Sequence, residues 1–304
     1  MTLFERTATA PISWGVCEMP GWGFQLPVEA VLMEMSKAGF THTELGSLGY
    51  LPTDPGDLRA VLESHNLSLL GGFVPLVLHD PLQIRSTLAS AAESAALIAG
   101  GGGRFFVTCV VSHLEDWRQE PLADHEWRIV ADALAGVGRV AGDHGLTQAL
   151  HPHFGCLVET AGEAERVLEI SDTALVLDTA HFLLGGADVL DMTKRYLDRV
   201  ALVHIKDVDL GIAARVMAGE LSLMQGVQQG LFPPLGQGGL PIAEIVDLLE
   251  KSGRDLWYVL EQDAAISEDD PSAVARLRFD ARQSIDFLRS LEPVLAGAGT
   301  SQNQ

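Results

Sequence analysis

The chain has 304 residues, a hydrophobic content of 47% and a formal net charge of −21, which suit one large, enzyme-sized domain. The acidic balance excludes nucleic acid as an expected partner, because a phosphate backbone would be repelled and no basic patch stands out. No apolar run approaches the length of a membrane span, and the three cysteines are widely spaced without a CxxC pair, so a cytoplasmic location is expected.

Apolar runs that alternate with amphipathic segments predict eight strand–helix units. The predicted strands are 11–16, 41–45, 67–73, 104–108, 146–151, 174–178, 200–204 and 256–261. The predicted helices are 27–38, 54–65, 81–99, 124–144, 162–170, 188–197, 241–252 and 271–291. Strands that alternate with helices form parallel sheets, and eight such units favour closure. The expected fold is therefore α/β, a single (β/α)8 TIM barrel over 1–295, with a disordered tail at 296–304.

One segment interrupts this rhythm. Residues 207–240 separate the seventh strand from its helix, and they contain a predicted short helix at 210–222 and a glycine-rich stretch at 230–239. A connection of this length is unusual in a compact barrel, and its place at the carboxyl ends of the strands favours an active-site lid. A decorative insertion is the alternative interpretation.

Polar side chains end four of the predicted strands. Asp178, His204 and Glu261 close the sixth, seventh and eighth strands, and His151 closes the fifth. Neighbouring strands lie about 5 Å apart, so these side chains can meet around one divalent cation. Carboxylates and neutral imidazoles suit Mn, Co, Zn or Mg. Any one of these residues is more often a cap, an ion-pair partner or a hydrogen-bonded core group, and their convergence is what favours a metal site.

Longer motifs accompany these strand ends. They are Ile12-Ser-Trp-Gly-Val-Cys-Glu18, Glu44-Leu-Gly, His151-Pro-His-Phe-Gly155, Asp178-Thr-Ala-His181, His204-Ile-Lys-Asp-Val208 and Glu261-Gln-Asp263. In this order they resemble the xylose-isomerase-like superfamily of sugar isomerases and epimerases, and within it the inosose dehydratases of myo-inositol catabolism. The resemblance covers nearly the whole chain.

The resemblance implies one divalent metal ion, with Mn or Co favoured, held by Asp178, His204 and Glu261. It leaves two candidates for the fourth ligand, because the wider superfamily has Glu where this chain has His151. His151 is preferred because it immediately ends the strand. Glu159 follows eight residues later and also suits the start of the next helix as a cap-region carboxylate.

The implied reaction is the dehydration of a cyclic polyol ketone such as 2-keto-myo-inositol, through a metal-stabilised enediolate. This reaction needs a base for the proton beside the carbonyl and an acid for the leaving hydroxyl. The candidates for these roles are His153, His181, Lys206 and Glu44. Lys206 has an alternative interpretation as an exposed lysine that pairs with Asp207.

Trp14 and Arg215 are the predicted substrate-binding residues. Trp14 would stack on the apolar face of a cyclohexane ring, or it would simply fill the barrel mouth. Arg215, in the 207–240 segment, would contact the hydroxyl groups of a polyol or a neighbouring subunit's site when a lid closes.

Two other functions stay open at this point. The same metal set would serve an isomerase or epimerase that acts on a keto-sugar, and a non-catalytic polyol-binding barrel is a third possibility. In each case the expected partner is a small polyol ketone or sugar, with neither nucleic acid nor membrane. A homo-oligomer is compatible with the sequence.

Overall fold

Eight parallel strands close into one barrel, in sequence order. The computed structural model of the protein describes residues 1–17, 19 and 21–298. The strands are β1 (Thr7–Thr9), β2 (His42–Glu44), β3 (Ser68–Leu76), β4 (Phe105–Val110), β5 (Thr147–Leu150), β6 (Ala174–Asp178), β7 (Val200–Ile205) and β8 (Trp257–Leu260). The predicted (β/α)8 fold is confirmed.

Helices surround the barrel. They are α1 (Val28–Ala38), α2 (Pro55–Ser64), α3 (Ile84–Gly100), α4 (Asp124–Asp143), α5 (Ala161–Ile170), α6 (Thr179–Leu184), α7 (Val189–Tyr196), α8 (Leu210–Met217), α9 (Leu223–Gln228), α10 (Ile242–Lys251) and α11 (Ala273–Ala298). The sequence did not predict α6 or α9. Within the described part of the chain, no helix combines the length and apolar character that crossing a membrane requires.

Two sequence expectations fall partly beyond the described residues. Helix α11 continues to Ala298, which is three residues into the segment predicted to be disordered. The remainder of that segment, 299–304, lies outside the described residues, as does Glu18 of the first motif.

The first strand lies earlier than predicted. The sequence predicted a strand at 11–16, but Pro11–Trp14 form a 3₁₀ helix and the strand is Thr7–Thr9. Pro11 has no N–H to give to a strand ladder, and its fixed φ suits the first turn of a helix. Gly15 then turns the chain with a φ of 83°. Trp14 therefore lies beyond the end of the strand, as the last residue of the 3₁₀ helix.

Side chains alternate along the strands between two layers. Ala149, Val176, Leu202 and Val259 belong to a compact cluster inside the barrel, whereas their neighbours pack outward beneath the helices. The barrel is therefore filled by apolar side chains at mid-height, as barrels of this size are. The next inward position on each of these four strands falls at the carboxyl end, and there the side chains are polar.

The 207–240 segment packs against the carboxyl end of the barrel. Val208, Val227 and Leu231 of this segment form a buried cluster with Ala180 and Leu184 of α6. The segment is therefore built on the helix that follows β6, on the same face as the polar strand ends.

Candidate active site

A cavity of about 430 Å³ opens at the carboxyl ends of the strands, a volume that suits a small-molecule substrate. Its polar lining includes Ser47 and Ser222 and the ionisable side chains of Glu44, His151, His153, His181, His204, Lys206, Glu261 and Asp263. Apolar side chains, including Phe73 and Trp117, form the remaining wall. Leu223 and Met224 come from the 207–240 segment, so this segment contributes directly to the cavity.

Asp178 links β6 to α6 and to the centre of the site. Its Oδ1 caps α6 by accepting hydrogen bonds from the N–H groups of Ala180 and His181, both at 2.9 Å. Its Oδ2 accepts a hydrogen bond from Nζ of Lys206 at 2.8 Å and lies 3.2 Å from Nε2 of His151. One carboxylate therefore positions the His181 backbone with one oxygen and faces the cluster with the other.

His204 lies between two glutamates. Its Nδ1 is 3.1 Å from Oε2 of Glu261, and its Nε2 is 3.4 Å from Oε2 of Glu44. Pairing of His204 with Asp178 in the β6–β7 ladder brings these side chains to one level of the barrel. Burial opposes the charged imidazolium, but the carboxylates of Glu261 and Glu44 outweigh it and raise the pKa of His204 to about 10.

Lys206 is buried at the centre of the cluster, with a relative exposure of 2%. Its ammonium group donates hydrogen bonds to Asp178 and Glu261, and it lies 3.7 Å from Oδ1 of Asp263. Burial opposes its charge, but the three carboxylates outweigh this and hold its pKa well above the ordinary value. The alternative of an exposed lysine paired with Asp207 is therefore wrong.

Two groups of buried side chains have the composition of a metal site. One consists of His151, Asp178 and His204, and the other of Glu44, His204 and Glu261, and within each group the ligand atoms all lie within 4.8 Å of one another. Among the described buried atoms, Oε1 of Glu44, Nδ1 of His151 and Nε2 of His204 have no hydrogen-bond partner. Nitrogen and carboxylate donors in this mixture suit a divalent transition metal.

The charge of the cluster also fits a cation. Glu44, Asp178, Glu261 and Asp263 supply four buried or nearly buried carboxylates, and these face two cationic groups, the ammonium of Lys206 and the imidazole of His204. Excess negative charge in a buried site is unfavourable unless it is paired. A divalent cation would supply the missing positive charge, so the residues present fit such an ion.

His153 and His181 form a stacked pair beside these groups. Their ring centroids lie 3.7 Å apart with an interplanar angle of 33°. Nδ1 of His153 contacts the carbonyl oxygen of Phe154 at 2.8 Å, whereas Nε2 of His181 has no hydrogen-bond partner among the described atoms. Both rings line the cavity, so both can meet a substrate.

Glu159 lies apart from the metal-type groups. Its Oε2 accepts a hydrogen bond from the N–H of Gly155 at 2.6 Å, and its backbone N–H is bonded to Glu163 at the start of α5. His151, in contrast, continues the β4–β5 ladder through its N–H to Thr108 and points to Asp178. His151 therefore belongs to one of the two metal-type groups, whereas Glu159 belongs to neither.

Trp14 and Arg215, the predicted substrate-binding residues, do not line the cavity. Trp14 has a relative exposure of 0% and packs edge-on against Phe40 in the core around the barrel. Arg215 is about half exposed, and it donates a hydrogen bond to Gln229 at 2.9 Å and lies 3.8 Å from Glu220. The 3₁₀ helix explains the position of Trp14, because it turns this side chain away from the pocket.

The sequence interpretation missed other parts of the pocket. Asp263 was noticed only within a motif, although it lies two residues beyond Glu261, a spacing that can return a side chain to the same side. Phe73 and Trp117 form an aromatic wall with His153, at centroid distances of 5.9 and 5.7 Å from it. Trp117 comes from a long loop after β4, and no strand pattern identifies such a residue.

The fold and the site together define a (β/α)8-barrel enzyme with a pocket rich in potential metal ligands. The model of the xylose isomerase-like TIM barrel family matches residues 32–291. The chain therefore belongs to this family.

Relatives and solved structures agree with this assignment. The inosose dehydratase of Geobacillus kaustophilus is 30% identical over 93% of this chain and 94% of its own, and that of Bacillus thuringiensis strain Al Hakam is 30% identical over 93% and 96%. The structure of an L-ribulose 3-epimerase matches with a TM-score of 0.71 and 18% identity over 98% of this chain and 99% of its own. The IOLI protein with a bound zinc atom matches with a TM-score of 0.67 and 17% identity over 96% and 98%. At these identities, the two structural likenesses concern the fold.

Proposed function

We propose that this protein is a metal-dependent hydro-lyase that removes water from a cyclic polyol ketone of the 2-keto-myo-inositol type. Its 30% identity to inosose dehydratases over nearly the whole length of both chains carries this proposal. The cavity supports it, because acid–base side chains and potential metal ligands line the same small space.

We infer that one divalent ion, with Mn or Co favoured over Zn or Mg, is held by Asp178, His204 and Glu261, with His151 as the fourth ligand. When bound, such an ion would polarise the substrate carbonyl and offset the negative charge that develops as the adjacent proton leaves. Nε2 of His151 faces Oδ2 of Asp178 at 3.2 Å and Nδ1 of His204 faces Oε2 of Glu261 at 3.1 Å, which supports this ligand set.

The chain's own residues would move the two protons. Lys206 is engaged by three carboxylates, which suits a role in holding the cluster and placing positive charge near the substrate. Glu44 faces His204 within a metal-type group. His153 and His181 also line the cavity, and they belong neither to the Lys206–carboxylate cluster nor to the Glu44–His204 pair. One of these two histidines would therefore remove the α-proton, and the other would protonate the leaving hydroxyl.

We further propose that the 207–240 segment is a lid on a single barrel domain. Leu223 and Met224 already form part of the cavity wall, and apolar side chains of this kind would exclude water from the reacting ketone. Arg215 bridges the end of α8 to Gln229 after α9, so it would act on the substrate through the position of α9 or by moving into the cavity.

A mass measurement distinguishes the open functions. Purified protein is incubated with Mn²⁺ and 2-keto-myo-inositol, and in parallel with a ketohexose. Dehydration lowers the mass of the product by one water, epimerisation leaves the mass unchanged, and a non-catalytic barrel converts neither compound. The proposal requires water loss from the inosose, and conversion of the ketohexose alone would contradict it.

A variant connects that activity to the site. His153→Gln should abolish conversion while the protein keeps its metal, because the histidine lies outside both metal-type groups. Full activity of this variant would remove His153 from the proton transfers.

A further inference from the structure

Two cysteine thiols meet behind the wall of the cavity, and the proposed reaction uses neither. The Sγ atoms of Cys109 and Cys156 lie 3.1 Å apart, and both residues have a relative exposure of 0%. They are thiols and not a disulfide. Cys109 follows Thr108, which pairs with Leu150 in the β4–β5 ladder, so it lies at the level of His151.

The backbone brings the two thiols together. The N–H of Leu157 donates to the carbonyl oxygen of Val110 at 3.0 Å, which extends the contact between β4 and the chain after β5. The N–H of Cys156 donates to the carbonyl oxygen of His153 at 3.1 Å and closes a tight turn. Cys156 therefore reaches Cys109 from a neighbouring, hydrogen-bonded segment.

The thiol pair lies directly behind the cavity wall. Nδ1 of His153 is 3.7 Å from Sγ of Cys156. Phe73 and Trp117 pack against the apolar cluster that contains both cysteines, and they also line the cavity. A small uncharged molecule in the cavity is therefore separated from the sulfur atoms by one layer of side chains.

We propose that Cys109 and Cys156 form a reversible redox site, which a hydroperoxide oxidises to an intramolecular disulfide. In the first step the sulfur of Cys156 attacks one peroxide oxygen, the O–O bond breaks, and a sulfenic acid and water form when the peroxide is hydrogen peroxide. The sulfur of Cys109 then attacks that of Cys156, and a second water leaves. The two thiols lose two electrons and two protons, and a dithiol reverses the reaction.

The surroundings favour Cys156 as the attacking sulfur. Its burial disfavours the thiolate, but the hydrogen bond from Cys109 and the charge of His153 outweigh burial and lower the pKa of Cys156 to about 6. A low pKa increases the thiolate population, which is the nucleophilic form. Cys109 is then in place to resolve the sulfenic acid.

Oxidation would reach the active site through His153. The two sulfur atoms must approach by about 1 Å to bond, which draws the turn that holds His153 toward β4. A displacement of about 1 Å in a catalytic group can lower a rate roughly a hundredfold. Provided that the proposed function holds, the oxidised protein should turn over at least about tenfold more slowly than the reduced protein.

The chain allows a simple test, because it has three cysteines and the third, Cys17, can be removed. Full-length Cys17→Ser protein is treated with hydrogen peroxide, and its intact mass and its cross-linked peptides are measured. The expected product is a monomer lighter by two hydrogen atoms, with a peptide that joins Cys109 to Cys156. Dithiothreitol should restore the original mass. Cys17→Ser/Cys109→Ser is the matched control that cannot form the bond.

The outcomes separate the redox site from the proposed reaction, since the mass does not depend on any substrate. The proposal would be overturned if both thiols stayed reduced in the folded protein at a peroxide excess that forms the disulfide in the unfolded chain. It would also be overturned if the mass increased by oxygen atoms and no disulfide formed. A disulfide with unchanged turnover of the inosose would overturn its link to His153. Turnover is also measured on the wild-type protein, because Cys17 lines the cavity. A disulfide together with a wild-type protein that converts no inosose would support the redox site and contradict the proposed function alone.

Discussion

The carboxylate of Asp207 accepts a hydrogen bond at 3.0 Å from the backbone N–H of Gly238, which lies 31 residues further along the chain. The same carboxylate accepts the N–H groups of Gly236 at 2.9 Å and Leu240 at 3.1 Å. One buried side chain therefore joins the two ends of the segment that forms part of the cavity wall. A negative charge that accepts several backbone N–H groups is well stabilised without a cationic partner.

Gly238→Ala should destabilise this junction. A Cβ atom at position 238 would lie 2.3 Å from Oδ1 of Asp207 and 2.7 Å from the backbone nitrogen of Val208. We expect the free energy of unfolding to fall by about 1–3 kcal/mol, measured by urea denaturation. Gly211→Ala in the same segment is the control, because its nearest neighbour is a side-chain oxygen at 3.3 Å. Equal stability of the two variants would contradict the prediction.

Metal content should depend on Glu261 and not on Glu159. Glu261→Gln removes a charged donor from the group that includes Glu44 and His204, whereas Glu159→Gln alters a carboxylate bonded to Gly155. After equilibration with Mn²⁺ and desalting, elemental analysis should find the metal lost from the first variant and retained by the second. Retention of one full equivalent by Glu261→Gln would show that the ligand set is wrong.

His151→Ala is the test of the fourth ligand, and it uses the same elemental analysis. The variant should bind the metal more weakly than the wild type, because Nε2 of His151 lies against Oδ2 of Asp178. If Glu159→Gln lost the metal and His151→Ala retained it, Glu159 and not His151 would be the fourth ligand.

Lys206→Met should weaken the metal-free fold. The variant leaves Asp178 and Glu261 buried without their ammonium partner, and removal of one member of a buried ion pair costs about 3–5 kcal/mol. Added Mn²⁺ should then raise the melting temperature of the variant by more than that of the wild type, because the cation restores the missing charge. Lys251→Met is the control, since its pair with Asp247 is solvent-exposed and such pairs contribute about 1 kcal/mol or less. Equal metal-dependent shifts for Lys206→Met and the wild type would refute this account.

Arg215→Ala should impair turnover or substrate binding and leave the metal content unchanged. Arg215 joins α8 to Gln229, directly after the helix whose first residues line the cavity. Arg215→Lys, which keeps the positive charge and a nitrogen that can donate to Gln229, should recover part of the loss. Steady-state kinetics and elemental analysis are the measurements. Wild-type kcat and KM values for Arg215→Ala would contradict a role of Arg215 in turnover or substrate binding.

Trp14→Ala should affect stability, because the side chain is fully buried beside Phe40. Loss of a buried tryptophan typically costs about 3–5 kcal/mol, which thermal or urea unfolding would detect. Once the variant is folded, its KM should equal that of the wild type. A raised KM at unchanged stability would instead support the stacking role predicted from the sequence.

The sequence alone determined the barrel and the composition of its polar end. Strand–helix alternation specifies a parallel sheet, and the period of two in a strand determines which side chains share a face. Asp178 and His204 end successive strands. Because successive strands of a barrel are hydrogen-bonded neighbours, the two side chains are expected to lie close together. The sequence also predicted the glycine-rich insertion at 207–240, since its length exceeds that of an ordinary connection between a strand and a helix.

Tertiary structure decided whatever depends on turns, loops and burial. The predicted strand at 11–16 does not form, because Pro11 cannot donate a hydrogen bond to a strand ladder, and this outweighs the apolar pattern of the segment. The residues form a 3₁₀ helix instead, and Trp14 is buried in the core. The central position of Lys206 required three carboxylates, one from the end of β6 and two from the chain directly after β8, which no local spacing reveals. The contact between Cys109 and Cys156 arises in the same way, because the turn after β5 folds back against β4 and brings together residues 47 positions apart.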